Sequence, residues 1–122
     1  MKPETKFYAE IKKLSKNISW TRIENLSISG TPDLLGYNSN GNFFTVELKY
    51  TKTNKIRFSP HQIAFCLKHP QNTFILVKAG SLNLAKLYEG KNIRDLVACG
   101  FTLDPLACGL PESLLVLESL GS

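Results

Sequence analysis

Three side chains stand out by type and spacing: Asp33, directly after Pro32, and the pair Glu47 and Lys49, two residues apart. Alternate residues of an extended strand share a face, so Glu47 and Lys49 project to one side and Val46, Leu48 and Tyr50 to the other. A carboxylate and an ammonium so placed serve equally well as an ion pair on a solvated surface. Asp33 adds a second use. Asn38-Ser39-Asn40-Gly41 is a hairpin turn sequence, and centring the hairpin on it sets position 33 opposite 46 or 47. Two carboxylates a few ångströms apart repel unless a proton or a cation intervenes. Hard oxygen donors suit Mg²⁺, with Mn²⁺ as a substitute, and such an ion acidifies a bound water and polarises a phosphoryl oxygen. Lys49 would then orient or deprotonate the attacking water, or stabilise the charge that develops on phosphorus-bound oxygen. The backbone carbonyl of Leu48, between the two functional side chains, is expected to join the metal ligands. The chemistry in outline is metal-assisted cleavage of a phosphodiester.

The elements that must position these groups follow from periodicity. Pro3 suits a first helical position, and Phe7, Tyr8, Ile11 and Leu14 recur at helical spacing, with Asn17 as a left-handed stop. On a wheel, Glu4 falls within roughly 20° of the centre of that stripe and Glu10 about 100° away, so Glu4 faces inward and Glu10 a flank. Glu4 has two readings, a first-turn acid complementing the helix dipole or a carboxylate aimed at the site. Strands are expected over Ile18 to Ile28, Asp33 to Tyr37 and Asn42 to Tyr50, then a polar, basic loop from Thr51 to Phe58. Ser59-Pro60-His61-Gln62 opens a helix with Ser59 as N-cap and Gln62 completing a capping box, and Pro70 ends it. Thr73 to Val77 is a continuous apolar run typical of a strand buried on both faces. Leu84 to Tyr88 adds a strand, Asn92 to Cys99 a short helix closed by Gly100, and Pro111 to Leu120 a last helix. Short connections make the first three strands an antiparallel meander, and the helical crossover lets the fourth join in parallel. The expected fold class is α/β, a mixed sheet flanked by helices.

A chain of 122 residues makes one domain with a core that needs no staple. No apolar run reaches membrane-span length and the basic N-terminus lacks a signal peptide's apolar stretch, which leads us to expect a cytoplasmic protein with no membrane partner. Cys66, Cys99 and Cys108 lack zinc-site spacing and read as reduced, mostly buried residues. Residues 1–80 carry 12 Lys/Arg against 5 Asp/Glu, whereas residues 81–122 carry 3 against 5. The cationic excess thus sits with the candidate site, where a polyanion would release counterions on binding.

Pro32-Asp33, thirteen residues, then Glu47-Leu48-Lys49 resembles the PD-(D/E)xK nuclease superfamily. The longer string Gly30-Thr31-Pro32-Asp33-Leu34, Val46-Glu47-Leu48-Lys49 and Phe58-Ser59-Pro60-His61-Gln62 is similar to its VRR-NUC and phage-type Holliday junction resolvase-like branches. The resemblance spans roughly residues 3–78 and implies a restriction-endonuclease-like core, α-β-β-β-α-β, with accessory elements over about 82–122. It implies that Asp33 and Glu47 bind metal and Lys49 is catalytic, with Gln62 as the second-helix glutamine and Glu4, or failing it Glu10, as the first-helix acid. Gln62 is also claimed by the capping box, and one side chain is not expected to serve both. Lys52, Lys55, Arg57 and His61 are expected to contact the nucleic-acid backbone. The implied activity is a Mg²⁺-dependent DNA endonuclease, working as a homodimer on branched or junction DNA, in the cytoplasm of its own cell or, if phage-encoded, in that of the host. A nicking, single-strand or exonucleolytic DNase of the same superfamily, and a non-catalytic basic nucleic-acid-binding module, are the alternatives.

Overall fold

The computed structural model describes residues 3–23 and 30–122, with Pro3 and Glu4 as helix backbone only. Helix α1 (Pro3–Leu14) leads into strands β1 (Ile18–Arg22), β2 (Leu34–Asn38) and β3 (Phe43–Thr51). Helix α2 (Pro60–Lys68) crosses to β4 (Thr73–Ala79), followed by β5 (Leu84–Glu89), α3 (Ile93–Cys99), β6 (Ala107–Cys108) and α4 (Leu110–Glu118). The six strands form one mixed sheet in the order β1-β2-β3-β4-β5-β6. Among the described strands only the β3–β4 pair, joined through α2, is parallel. The expected continuation of β1 through Ile28 lies outside the described residues.

Strand alternation divides the interior into two layers. Phe74 and Leu76 of β4, with Val46 and Leu48 of β3, face Phe7 and Ile11 of α1 and Leu114 and Leu117 of α4. Ile75 and Val77 face the other way, towards Cys66 of α2, Ile93 and Leu96 of α3, and Phe101. Each large apolar side chain removed from water stabilises the fold by roughly 1.5–3 kcal/mol, which explains why β4 reads as an unbroken apolar run. The carboxy-terminal leucines are divided in use: Leu114 and Leu117 complete the first layer, while Leu115 is exposed. Among the described residues no helix is long and apolar enough to cross a membrane.

Two details correct the sequence-based expectations. Helix α1 does not end on a left-handed Asn17, because Asn72 and Asn83 alone among described non-glycine residues have positive φ. Instead Ser15 closes it, its amide and its hydroxyl both donating to the Ile11 carbonyl and its Oγ accepting from Trp20 Nε1. Leu14, counted in the apolar stripe, is therefore carried out of the core at the helix end. Of the three free cysteines only Cys66 is buried. Cys99 is the last residue of α3 and Cys108 lies on the two-residue edge strand, and both are exposed.

The hairpin also reaches beyond its turn. Asn38 is buried, its Oδ1 accepting from the amides of Asn40 and Asn42 and its Nδ2 donating to the carbonyls of Leu117 and Leu120. Carbonyls at a helix C-terminus have no partner within the helix, so this asparagine caps α4 while shaping the loop.

Candidate functional site

The turn before β2 is seated on α2. Gly30 has φ +85°, and a Cβ there would lie 2.5 Å from the carbonyl carbon of His61. Only glycine satisfies both the left-handed backbone and that approach, which holds the Gly30–Asp33 turn against the first turn of α2. Pro32 is buried behind it. Asp33 extends the β1–β2 pairing, its carbonyl accepting from Ile23 N at 2.8 Å. The register Leu34↔Val46 then sets Asp33 across from Glu47, one of the two partners the hairpin sequence allows. Its carboxylate Oδ2 accepts from Leu48 N at 2.8 Å. The N–H and C=O of one strand residue project towards the same edge, so the Leu48 carbonyl also lies on the Asp33 side of β3.

Glu47 and Lys49 share the face of β3 that looks towards α2, while Val46 and Leu48 enter the opposite layer. Glu47 is only 8% exposed, and a carboxylate taken that far from water requires partners. Lys49 Nζ lies 3.9 Å from Glu47 Oε2, a loose ion pair. The closer link runs through Gln62, whose Nε2 donates to Glu47 Oε2 at 3.0 Å and whose Oε1 accepts from Lys49 Nζ at 3.0 Å. Lys49 Nζ also stands 4.9 Å above the Phe58 ring, whose face attracts a cation.

Gln62 nevertheless keeps its structural place. Its Oε1 accepts from Ser59 N at 3.0 Å, and Ser59 Oγ accepts from Gln62 N at 3.1 Å, completing the capping box. One side chain thus completes the cap and still reaches Glu47 and Lys49, because a carboxamide oxygen has two lone pairs and its nitrogen is a separate donor. One turn further along α2, Cys66 is pushed up from 9.0 to about 11, by burial first and by the nearby Glu47 charge second.

Beyond Lys49 the chain enters the basic segment. A groove of about 420 Å³ is lined by Lys49, Lys52, Lys55 and Arg57, with no carboxylate in its wall. The segment is exposed at its cations but is more than a solvated loop. Ile56 is buried against the α2–α3 layer, and Thr51 Oγ1 donates to the Lys55 carbonyl at 2.8 Å. Asn54 is held by three contacts to the turn after α3: Nδ2 donates to Cys99 O, Oδ1 accepts from Thr102 N, and its carbonyl accepts from Phe101 N. Gly100, read from the sequence as a helix stop, does have φ +71°, and a Cβ there would strike Asn54 at 2.6 Å. The polar sequence around Asn54 gives no sign of this anchorage.

The remaining candidates are dispersed. His61 is exposed on the first turn of α2. Glu10 pairs with Lys78 Nζ at 2.8 Å, so its carboxylate neutralises that lysine rather than joining Asp33 and Glu47. The side chain of Glu4, the preferred first-helix acid, lies outside the described residues. Among the described residues no three His, Cys, Asp or Glu side chains converge as a metal cage. Two carboxylates and a backbone carbonyl form an all-oxygen partial set, which fits a cation such as Mg²⁺ that retains several waters and does not fit a thiolate- or imidazole-bound metal. No protein-family model matches the chain, and no curated protein is significantly similar to it.

Proposed function

We propose that the chain is a Mg²⁺-dependent DNA endonuclease of the PD-(D/E)xK type, structure-selective on branched DNA in the manner of Holliday junction resolvases and active as a homodimer. The observation that carries this reading is the hydrogen-bonded line Glu47–Gln62–Lys49, with Asp33 across the strand pair and the four-cation groove beside it. Asp33, Glu47 and the Leu48 carbonyl would hold the metal, which when bound supplies an acidified water and a Lewis acid for the phosphate. Lys49, held by Gln62 and the Phe58 ring, would orient that water and offset charge on the phosphate oxygens. Lys52, Lys55 and Arg57 contact the phosphates that flank the cleaved one and so fix position rather than sequence. The described elements include no separate base-reading module, which favours recognition of DNA shape.

One contact favours a second reading. Asp33 Oδ2 already accepts from Leu48 N, as a purely structural carboxylate would, and a basic DNA-binding module without catalysis would look the same there. The deciding experiment presents four-way junction, flap, single-stranded and linear duplex DNA with Mg²⁺ to the parent protein and to Lys49→Ala. The expected result is junction cleavage by the parent and none by the variant. Preference for linear ends would replace the resolvase reading with an exonucleolytic one. Absence of cleavage, with DNA binding unchanged in Asp33→Asn and Glu47→Gln, would leave the binding module.

A further inference from the structure

The face of β3 that carries Glu47 and Lys49 continues in the opposite direction to Thr45 and Phe43. Cross-strand pairing puts Tyr37 of β2 beside Phe43 on that face, because paired residues project together. The two rings are 4.5 Å apart between centroids and inclined by 51°. They are also the most exposed large apolar side chains among the described strands, Tyr37 being 42% and Phe43 59% exposed, while the next residue, Phe44, is buried in the opposite layer. Four residues of extended chain separate Phe43 from Glu47, about 13 Å. Along β3 there thus follow in order an exposed aromatic pair, the Glu47 and Lys49 site beneath the first turn of α2, and the basic groove beyond it.

We infer that Tyr37 and Phe43 form a stacking platform for unpaired bases of the DNA strand whose phosphates lie along Glu47, Lys49 and the basic groove. Stacking needs an open π-face and tolerates every base, and it is the usual companion of a cationic groove in proteins that hold single strands. The surroundings argue against a protein partner. On the same face β1 offers the exposed, polar Ser19 and Thr21 rather than an apolar rim. A stable protein interface would need roughly 800 Å² per partner with an apolar core, which two rings do not supply. The consequence is a substrate preference: DNA with a few unpaired nucleotides on one side of the cleaved bond.

This inference rests on the nuclease reading only for its placement beside a scissile phosphate, so its test uses binding without metal. A short single-stranded oligodeoxynucleotide carrying a fluorescent adenine analogue, quenched on stacking, is titrated with the full chain in EDTA, beside a blunt duplex. The expected result is quenching by the parent and its loss in Tyr37→Ala/Phe43→Ala. Single-strand affinity should fall roughly 5- to 150-fold, the factor corresponding to one lost stack, while duplex affinity is retained. Tyr37→Phe/Phe43→Tyr, which keeps both rings, should restore the quench. Equal losses on both DNAs, no quench by the parent, or a change of oligomeric state in the alanine variant with single-strand affinity intact would overturn it. Quenching without any Mg²⁺-dependent cleavage would remove the nuclease reading and leave the platform standing.

Discussion

The oxygen of Gln62 that accepts the Lys49 ammonium is the same oxygen that accepts the Ser59 amide, both at 3.0 Å. Helix capping and placement of the candidate catalytic lysine are thereby one piece of geometry. The capping box fixes the rotamer of Gln62, and the fixed amide then presents an acceptor to Lys49 and a donor to Glu47.

This double use separates two substitutions. Ser59→Ala removes the side-chain cap but leaves Gln62 able to bridge Glu47 and Lys49, and should cost about 1 kcal/mol with cleavage nearly retained. Gln62→Ala removes the bridge as well, leaving a buried carboxylate short of a donor, and should cost about 2–3 kcal/mol. For a domain of this size each kcal/mol corresponds to a melting shift of roughly 3–6 °C. Thermal denaturation gives the first quantity and junction cleavage the second. Equal activity in the two variants would show that the bridge does not position Lys49.

Asp33 permits a cleaner division of structure from chemistry. Asp33→Asn retains an oxygen to accept from Leu48 N, so its melting temperature should stay within a few degrees of the parent while Mg²⁺-dependent cleavage is lost. Asp33→Ala leaves that amide without its acceptor and should cost about 1–3 kcal/mol besides. If Asp33→Asn were as unstable as Asp33→Ala, a charge-dependent structural role would be indicated instead.

The parts of this arrangement that were legible in the sequence are those governed by local geometry. Period-2 alternation put Glu47 and Lys49 on one face, the Asn38–Gly41 turn narrowed the partner of Asp33 to position 46 or 47, and Ser59-Pro60-His61-Gln62 announced its own helix start. What escaped notice depends on contacts distant in the chain. Asn54 meets Cys99 and Asn38 meets Leu117 across 45 and 79 residues, and an asparagine in a turn sequence looks the same with or without such a partner. The rings of Tyr37 and Phe43 looked like ordinary strand residues, because exposure depends on which helix covers a face. That Gln62 reaches Glu47 and Lys49 while capping α2 likewise depends on β3 lying alongside the helix, which the capping sequence alone does not encode.

Cysteine chemistry gives a prediction independent of any activity. The thiolate is the reactive form, and a Cys66 pKa of about 11 leaves roughly one part in a thousand ionised at pH 8. Cys99 and Cys108 are exposed, so a thiol reagent at pH 8 should modify two cysteines quickly and the third only on unfolding. Because the folded state raises this pKa from 9.0, the associated stability is complete below pH 9 and declines as pH rises through 11. Denaturant titrations at pH 8 and pH 10.5 should show the decline, and it should be smaller in Cys66→Ala. Fast labelling of all three thiols in the folded protein would contradict the burial of Cys66 between α2 and β4.

The anchorage of the basic segment predicts a loss of DNA affinity without loss of charge. Asn54 joins residues 51–58 to the turn at Gly100, and Ile56 holds the same segment from beneath, so Lys52, Lys55 and Arg57 are presented together along one groove. Asn54→Ala removes both side-chain contacts but no cation, and adds freedom that binding must then withdraw. Duplex affinity should fall about 3- to 10-fold while the slope of log affinity against log salt stays that of the parent, because the number of phosphates neutralised is unchanged. Lys55→Ala, by contrast, should reduce that slope by nearly one. A reduced slope in Asn54→Ala would mean that the freed segment no longer brings all its cations to the DNA. Unchanged affinity would mean that the loop keeps its course on Ile56 alone.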